Sequence, residues 1–280
     1  MRNCQDSSRI RQTRLRFYSA ELLVAGIAGR RFQGYEDVAR ESDAGVPLVA
    51  DAYAGWLRRL ESMDEQSALW ERVAQGSPIP KLYGVLDLMA IEGRGLDLFD
   101  VAQAWRDAGV RLVQYRDKLS PSMVMIAHAV RLAEIFRGTD TLLVLNDSPA
   151  MARDAGLSAA HLGQTDGTVE AAQRAVPYLG VSTNTERQIR AANSTACTYI
   201  AIGPVFETKT KVDAKSAVGL AGVRSARSLT RKPLVAIGGI KLENAASVLE
   251  AGADSVAVIS ALLEGTNLIA QAKAFLRAVE

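Results

Sequence analysis

Apolar and polar positions follow two rhythms in this chain, and the rhythm changes near residue 81. Before that point Trp56, Leu60, Met63, Trp70 and Val73 recur near helical spacing, with Arg58, Arg59, Glu61, Asp64 and Glu65 among them. Such a pattern predicts an amphipathic helix. Gly76-Ser-Pro-Ile-Pro80 then reads as a turn or linker. Beyond it, short apolar runs alternate with longer helical patterns. The runs are Leu82–Leu86, Val110–Tyr115, Leu142–Leu145, Ala159–Leu162, Leu179–Val181, Tyr199–Ile202, Leu234–Ile237 and Val256–Ile259. Helical patterns between them include Met123–Phe136, Thr185–Asn193, Leu220–Leu229 and Leu242–Glu250. Strand alternating with helix implies a parallel sheet. Eight such runs imply a closed (β/α)8 TIM barrel. The expected organisation is an N-terminal helical extension over residues 1–80, packed on the barrel or on a second subunit, and a barrel over residues 81–280.

Ala108-Gly109, Ala155-Gly156 and Ala251-Gly252 each precede an apolar run. Glycine ending a helix can take the left-handed conformation that turns the chain back into the sheet. That structural role is sufficient for these glycines.

Composition narrows the function classes. Of 280 residues, 48% are hydrophobic, which supports a substantial core. A formal charge of +2 makes no general case for nucleic acid or a membrane surface. No apolar run approaches the ~20 residues needed to cross a bilayer. Cys4 and Cys197 make no disulfide framework, which fits a reducing cytosol. His128 and His161 are the only histidines, too few for a multi-histidine metal site. Arg2, Arg9, Arg11, Arg14 and Arg16 ahead of Leu22–Ile27 faintly resemble a targeting peptide. That apolar stretch is short, glycine-interrupted and followed by Arg30-Arg31, so a cytoplasmic protein is expected. Phosphorylated small molecules are the expected partners, and a second copy of the chain in a homo-oligomer is a candidate, the oligomeric state being left open by the sequence.

The chemistry sits where apolar runs end. A barrel of this kind places its active site at the C-terminal ends of the strands. After the second run, Gln114, Arg116 and Lys118 share one face, while Tyr115 and Asp117 point the other way. An amide, a guanidinium and an ammonium together suit a pyrophosphate, whereas taken alone they also suit a solvated loop. Asn146-Asp147 ends the third run, and Asp166 follows the fourth in His161-Leu-Gly-Gln-Thr-Asp166. Two aspartates on adjacent strand ends can hold Mg²⁺ together with phosphate oxygens and water. Alternatively Asp147 caps the helix near Pro149 and Asp166 serves a turn with Gly167. His161 lies inside its run, so a structural inward role weighs at least as much as a catalytic one. Ser182 in Gly180-Val-Ser-Thr-Asn184 either donates to a ligand or caps the next helix, as Thr183 or Asn184 also could. Gly203-Pro-Val-Phe-Glu-Thr-Lys-Thr-Lys211 carries two threonines and two lysines directly after a buried run. Ile237-Gly-Gly-Ile240 and Val258-Ile-Ser260 end the last two runs, where barrels often bind phosphate through backbone amides.

Taken together, Gln114-x-Arg116-x-Lys118, Asn146-Asp147, His161-Leu-Gly-Gln-x-Asp166, Gly180-x-Ser182, Gly203-Pro-x-Phe-x-Thr-x-Thr-Lys211 and Ala236-Ile-Gly-Gly-Ile240 resemble the thiamine phosphate synthase family over residues 82–263. The resemblance implies condensation of 4-amino-2-methyl-5-hydroxymethylpyrimidine diphosphate with a thiazole phosphate, giving thiamine phosphate and pyrophosphate. It implies that Gln114, Arg116, Lys118, Asn146, Ser182 and Lys211 hold the pyrimidine diphosphate. By the same resemblance Asp147 and Asp166 bind Mg²⁺, and Thr208, Lys209, Thr210, Gly239, Ile259 and Ser260 hold the thiazole phosphate. Arg116, Lys118 and Lys211 would stabilise charge on the departing pyrophosphate.

One departure is Asn184, where the family often has histidine two residues after the serine of the fifth strand. A thiazole phosphate tautomerase is the alternative enzyme of the same fold. Asn184 weighs against it, as does retention of Arg116, Lys118 and both aspartates. A non-catalytic ligand sensor, contacting a partner through Trp56, Trp70 and the neighbouring apolar face, is the alternative outside enzymes.

Overall fold

In a computed structural model, the described residues are 65–208 and 216–280. A helix, α1, is described over 65–74. After it, strands and helices alternate as β1 (Leu82–Asp87), α2 (Leu88–Glu92), α3 (Leu98–Ala108), β2 (Leu112–Arg116), α4 (Ser122–Phe136), β3 (Leu142–Asn146), α5 (Pro149–Asp154) and β4 (Ala159–Leu162). The second half runs α6 (Val169–Ala172), β5 (Tyr178–Thr183), α7 (Glu186–Asn193), β6 (Tyr199–Ile202), α8 (Gly219–Leu229), β7 (Leu234–Ile237), α9 (Ala245–Glu250) and β8 (Ser255–Val258). A short 3-10 helix (Ser260–Leu263) and α10 (Leu268–Val279) complete it. All strands pair in parallel and in sequence order, and β1 pairs with β8 to close the barrel. The (β/α)8 barrel expected from the alternating runs is therefore the observed fold.

The strands are buried on both faces, which is why they read as continuous apolar runs. Their outward side chains pack with the helices in one large shell that includes Leu86, Val113, Leu145 and Ile202. Their inward side chains form a second cluster with Tyr83, Val85, Leu112, Val144, Tyr199, Ala201 and Val235. Boundaries shift for local reasons. β2 starts at Leu112 rather than Val110, because Val110 N still donates to Trp105 O at the end of α3 (3.0 Å). α9 starts at Ala245 rather than Leu242, because Asn244 Oδ1 accepts Lys241 N (2.8 Å) in a preceding turn. Gly109, Gly156 and Gly252 all have φ between 78° and 108°, the left-handed turn their Ala-Gly context predicts.

α1 belongs to the barrel floor. Trp70 and Val73 of the amphipathic pattern are buried in the inner cluster. Trp70 stacks on Tyr178 at the start of β5 and on Tyr199, with centroids 6.1 and 6.0 Å apart. Gln66 donates to Thr141 O (2.7 Å) and accepts from Leu143 N (2.9 Å), tying α1 to the entry of β3. One barrel end is thus plugged, and the site is left to the other. Trp56, Leu60 and Met63 of the same pattern lie outside the described residues.

Candidate active site

Among the described residues, the polar residues that the sequence pointed to lie at or just after the C-terminal strand ends. Gln114 and Arg116 of β2 face inward, as their spacing predicts. Gln114 donates to Tyr83 Oη inside the barrel (2.7 Å). Tyr115 faces outward instead, its hydroxyl on Asp117 Oδ2 (3.0 Å) and on His128 Nδ1 (2.8 Å). Asp117 Oδ1 also accepts the backbone N–H groups of Leu119 and Ser120, bracing the loop after β2. Burial pushes the Asp117 carboxyl up, but the bonds from Ser120, Leu119 and Tyr115 outweigh it and hold it below the ordinary range.

The Arg116 guanidinium pairs with Asp87, the last residue of β1 and its neighbour in register. Asp87 is only 1% exposed, and its other oxygen accepts Ala90 N (2.9 Å) as the N-cap of α2. Sequence reasoning missed this residue. The signal was available: an acidic side chain at the end of β1 stands beside an arginine at the end of β2.

Asp147 and Asp166 come together. Lys118 Nζ pairs with Asp147 Oδ2. Asp166 Oδ2 accepts Gly163 N (2.7 Å), and its carboxyl lies near enough to that of Asp147 for the two to interact electrostatically. Burial first, and then the Asp147 carboxyl, raise the Asp166 pKa. Asp147 does not cap the following helix; Ser148 takes the cap position, without a side-chain cap bond. Asp147 instead sits at φ 63°, left-handed and uncommon for a non-glycine residue, with its N–H on His161 O (2.8 Å). Next to it, the buried Nδ2 of Asn146 has no hydrogen-bond partner among the described residues. A buried amide without a partner at a site is most simply completed by a ligand oxygen.

This donor set fits Mg²⁺ only in one way. Among the described residues there is no group of three or more His, Cys, Asp or Glu that could hold a metal. Two facing carboxylates suit an ion that keeps water and takes substrate phosphate oxygens. The raised Asp166 pKa has a measurable consequence. A carboxyl of this kind stabilises the fold most below the ordinary carboxylate pKa of about 3.9, and loses that contribution as pH rises through its folded value. Asp166→Asn keeps an acceptor for Gly163 N and removes the charge. It should therefore raise the metal-free protein's melting temperature at pH 7, by less than about 1 kcal/mol of stability because the group is partly exposed. An unchanged or lower melting temperature would contradict the facing-carboxyl geometry.

Ser182 of β5 does not cap the next helix. Thr185 does, in a capping box with Gln188, and Thr183 Oγ1 donates to Ala201 O (2.9 Å). That frees Ser182 to face His161, whose Nε2 lies 2.8 Å from its Oγ. The other ring nitrogen, Nδ1, lies 2.9 Å from Tyr199 Oη, so His161 is an inward histidine tied to a strand-end serine. The side chain of Gln164, which the sequence left without a role, donates to Ser182 O. Asn184 stands at the mouth side of that turn, its N–H on Gln188 Oε1 (2.9 Å).

The loops after β6 and β7 interlock. Val205 N donates to Ile237 O (2.9 Å) and Phe206 N to Gly238 O (3.0 Å). A Cβ on Gly239 would stand 2.6 Å from Glu207 O, and φ is 64° there, so only glycine suits this close approach. Glu207, the residue before Thr208, thus lies against the Gly238-Gly239 turn, while Ile259 and Ser260 follow β8, the neighbour of β7. Lys209, Thr210 and Lys211 lie outside the described residues.

Comparison with known proteins points to one family. A family model described as thiamine monophosphate synthase matches residues 82–262. A thiamine-phosphate synthase of Koribacter versatilis is 41% identical over 196 residues, covering 68% of this chain and 92% of the relative. One of Chloroflexus aurantiacus is 36% identical over 195 residues, covering 69% and 89%. The solved thiamine phosphate pyrophosphorylase of Pyrococcus furiosus superposes with a TM-score of 0.64 at 26% identity, covering 71% of this chain and 95% of that one.

Proposed function

The chain belongs to the thiamine monophosphate synthase family, and we propose on that premise that its barrel mouth joins an aminopyrimidine diphosphate to a thiazole phosphate. It is a transferase of thiamine biosynthesis that makes thiamine phosphate, the activity its relatives' names carry. The division of labour among its residues is our reading. The observation that supports it best is the convergence of Arg116, Lys118, Asp147, Asp166 and the orphaned Asn146 amide on adjacent strand ends.

In this reading Gln114, Arg116, Lys118, Asn146, Ser182 and Lys211 hold the pyrimidine diphosphate. Asp147 and Asp166 hold Mg²⁺, which when bound supplies positive charge to the pyrophosphate oxygens. Thr208, Lys209, Thr210, Gly239, Ile259 and Ser260 hold the thiazole phosphate, using glycine backbone amides and hydroxyls as donors. Pyrophosphate departs from the exocyclic carbon of an electron-rich pyrimidine. Arg116, Lys118 and Lys211 stabilise the charge that gathers on the leaving oxygens. The thiazole nitrogen then takes the carbon, so the bond lost to oxygen is replaced by one to nitrogen. No protein nucleophile is required, and holding two substrates in one mouth supplies much of the rate. Residues 1–80 are read as an extension whose last part braces the barrel floor, with the catalytic barrel over 81–280.

Incubating the purified chain with both substrates and Mg²⁺ should release one pyrophosphate per thiamine phosphate, and chelation of the metal should stop it. Isomerisation of a thiazole phosphate without any diphosphate substrate would favour the tautomerase reading instead.

A further inference from the structure

A continuous hydrogen-bonded chain crosses the barrel interior beneath the mouth. Gln114 Nε2 of β2 donates to Tyr83 Oη of β1 (2.7 Å). Tyr83 Oη lies 2.9 Å from Tyr199 Oη of β6. Tyr199 Oη lies 2.9 Å from His161 Nδ1 of β4. His161 Nε2 lies 2.8 Å from Ser182 Oγ of β5. Both ends of this chain, Gln114 and Ser182, are residues assigned above to the pyrimidine.

Proton counting gives the chain one direction. An amide nitrogen can only donate, so Tyr83 Oη accepts from Gln114. Tyr83 has one hydroxyl hydrogen of its own, and Tyr199 is its remaining polar contact among the described residues, so that hydrogen points to Tyr199. The Tyr199 hydrogen must then point to His161 Nδ1. A neutral imidazole accepting at Nδ1 carries its proton on Nε2, which donates to Ser182 Oγ. An imidazolium, or the opposite tautomer, would turn the Tyr199 hydrogen back onto Tyr83 and leave one buried hydroxyl hydrogen without an acceptor. That costs about 1–3 kcal/mol. Burial keeps both phenols protonated, with pKa values above the ordinary tyrosine range. The backbone is shaped around the chain as well. A Cβ on Gly180 would stand 2.0 Å from Tyr199 Cζ, so the Tyr199 ring fits against β5 only because that position is glycine.

With this direction set, Gln114 is left presenting its carbonyl oxygen and Ser182 its hydroxyl hydrogen. We propose that Tyr83, Tyr199 and His161 are positioning residues that lock this acceptor–donor pair, and that the pair selects a 4-aminopyrimidine over its 4-oxo counterpart. An aminopyrimidine edge offers an N–H donor beside a bare ring nitrogen. The oxo analogue offers the reverse, a carbonyl beside a ring N–H. Each of its groups would face its own kind. The proposal rests on the reading that Gln114 and Ser182 contact the pyrimidine, and it adds why their hydrogen positions cannot relax to suit the wrong ring.

The test has two arms. The full chain contains only two histidines, so ¹⁵N-histidine labelling reads His161 with little overlap. The expected state is neutral with the proton on Nε2, and Tyr199→Phe should introduce the Nδ1–H form. In kinetics, Tyr199→Phe and Tyr83→Phe should each lower the ratio of kcat/KM for the 4-amino over the 4-oxo pyrimidine diphosphate by about tenfold or more. Tyr83→Phe should do so without changing the His161 tautomer, because it releases only the Gln114 amide. A merely structural role would lower both substrates alike and leave the ratio unmoved. An Nδ1–H or charged His161 in the parent chain, or an unmoved ratio in both variants, overturns the proposal. Failure of the parent chain to make thiamine phosphate would overturn the function reading instead, and the tautomer, read on protein alone, would still decide the chain's direction.

Discussion

Asp147→Asn and Asp166→Ala should each cut kcat/KM by about a thousandfold, while circular dichroism and melting show an intact barrel. The magnitude follows from removing charge stabilisation where the leaving group departs, an effect of several kcal/mol. The choice of substitutions matters. Asp147 has φ 63°, where alanine adds backbone strain and asparagine adds little, so Asn isolates the loss of charge. Asp166 carries no such constraint, although its replacement also removes the acceptor for Gly163 N. Pyrophosphate release measured across a Mg²⁺ series reads the effect. Near-normal turnover in both variants would remove the metal from these two residues.

Asp87→Ala should be nearly as damaging, by a different route. The side chain is buried, and one of its oxygens caps α2 while the other pairs with Arg116, itself 14% exposed. Truncation leaves a largely buried guanidinium without its partner, a defect worth about 3–5 kcal/mol, and removes a cap worth about 1 kcal/mol. A released Arg116 no longer aims at the diphosphate, and misplacement of a positioning group costs about a hundredfold in rate. Asp87→Asn should restore the cap's share of stability but not the orientation of Arg116. Urea unfolding beside kcat/KM separates the two contributions. Stability within about 1 kcal/mol of the parent chain for Asp87→Ala would show that the pair is not structural.

The fold was legible because parallel strands buried on both faces leave continuous apolar runs. Ala159–Leu162, Tyr199–Ile202 and Leu234–Ile237 match their predicted bounds for this reason. Edges were less legible where local hydrogen bonding decides, as at Val110 and at Lys241–Asn244. Among site residues, Gln114, Arg116 and Lys118 were readable from period-two spacing and strand-end position. Asp147 and Asp166 were readable as strand-end acids with competing capping and turn roles; the structure removes the cap for Asp147, whose backbone is left-handed, while Asp166 also accepts Gly163 N within its own turn. Asp87, Tyr83 and Tyr199 were not singled out, because their importance lies in partners on other strands. Tyr83 and Tyr199 meet across 116 sequence positions, a contact that no local pattern contains.

Crystals grown with thiamine phosphate, pyrophosphate and Mg²⁺ test the central claim most directly. The metal should lie between Asp147 and Asp166 with pyrophosphate oxygens and water completing its shell. Arg116 and Lys118 should contact that pyrophosphate, and the Asn146 amide should donate to it. Pyrophosphate bound away from β2, β3 and β4, or a metal held by other residues, would contradict the account.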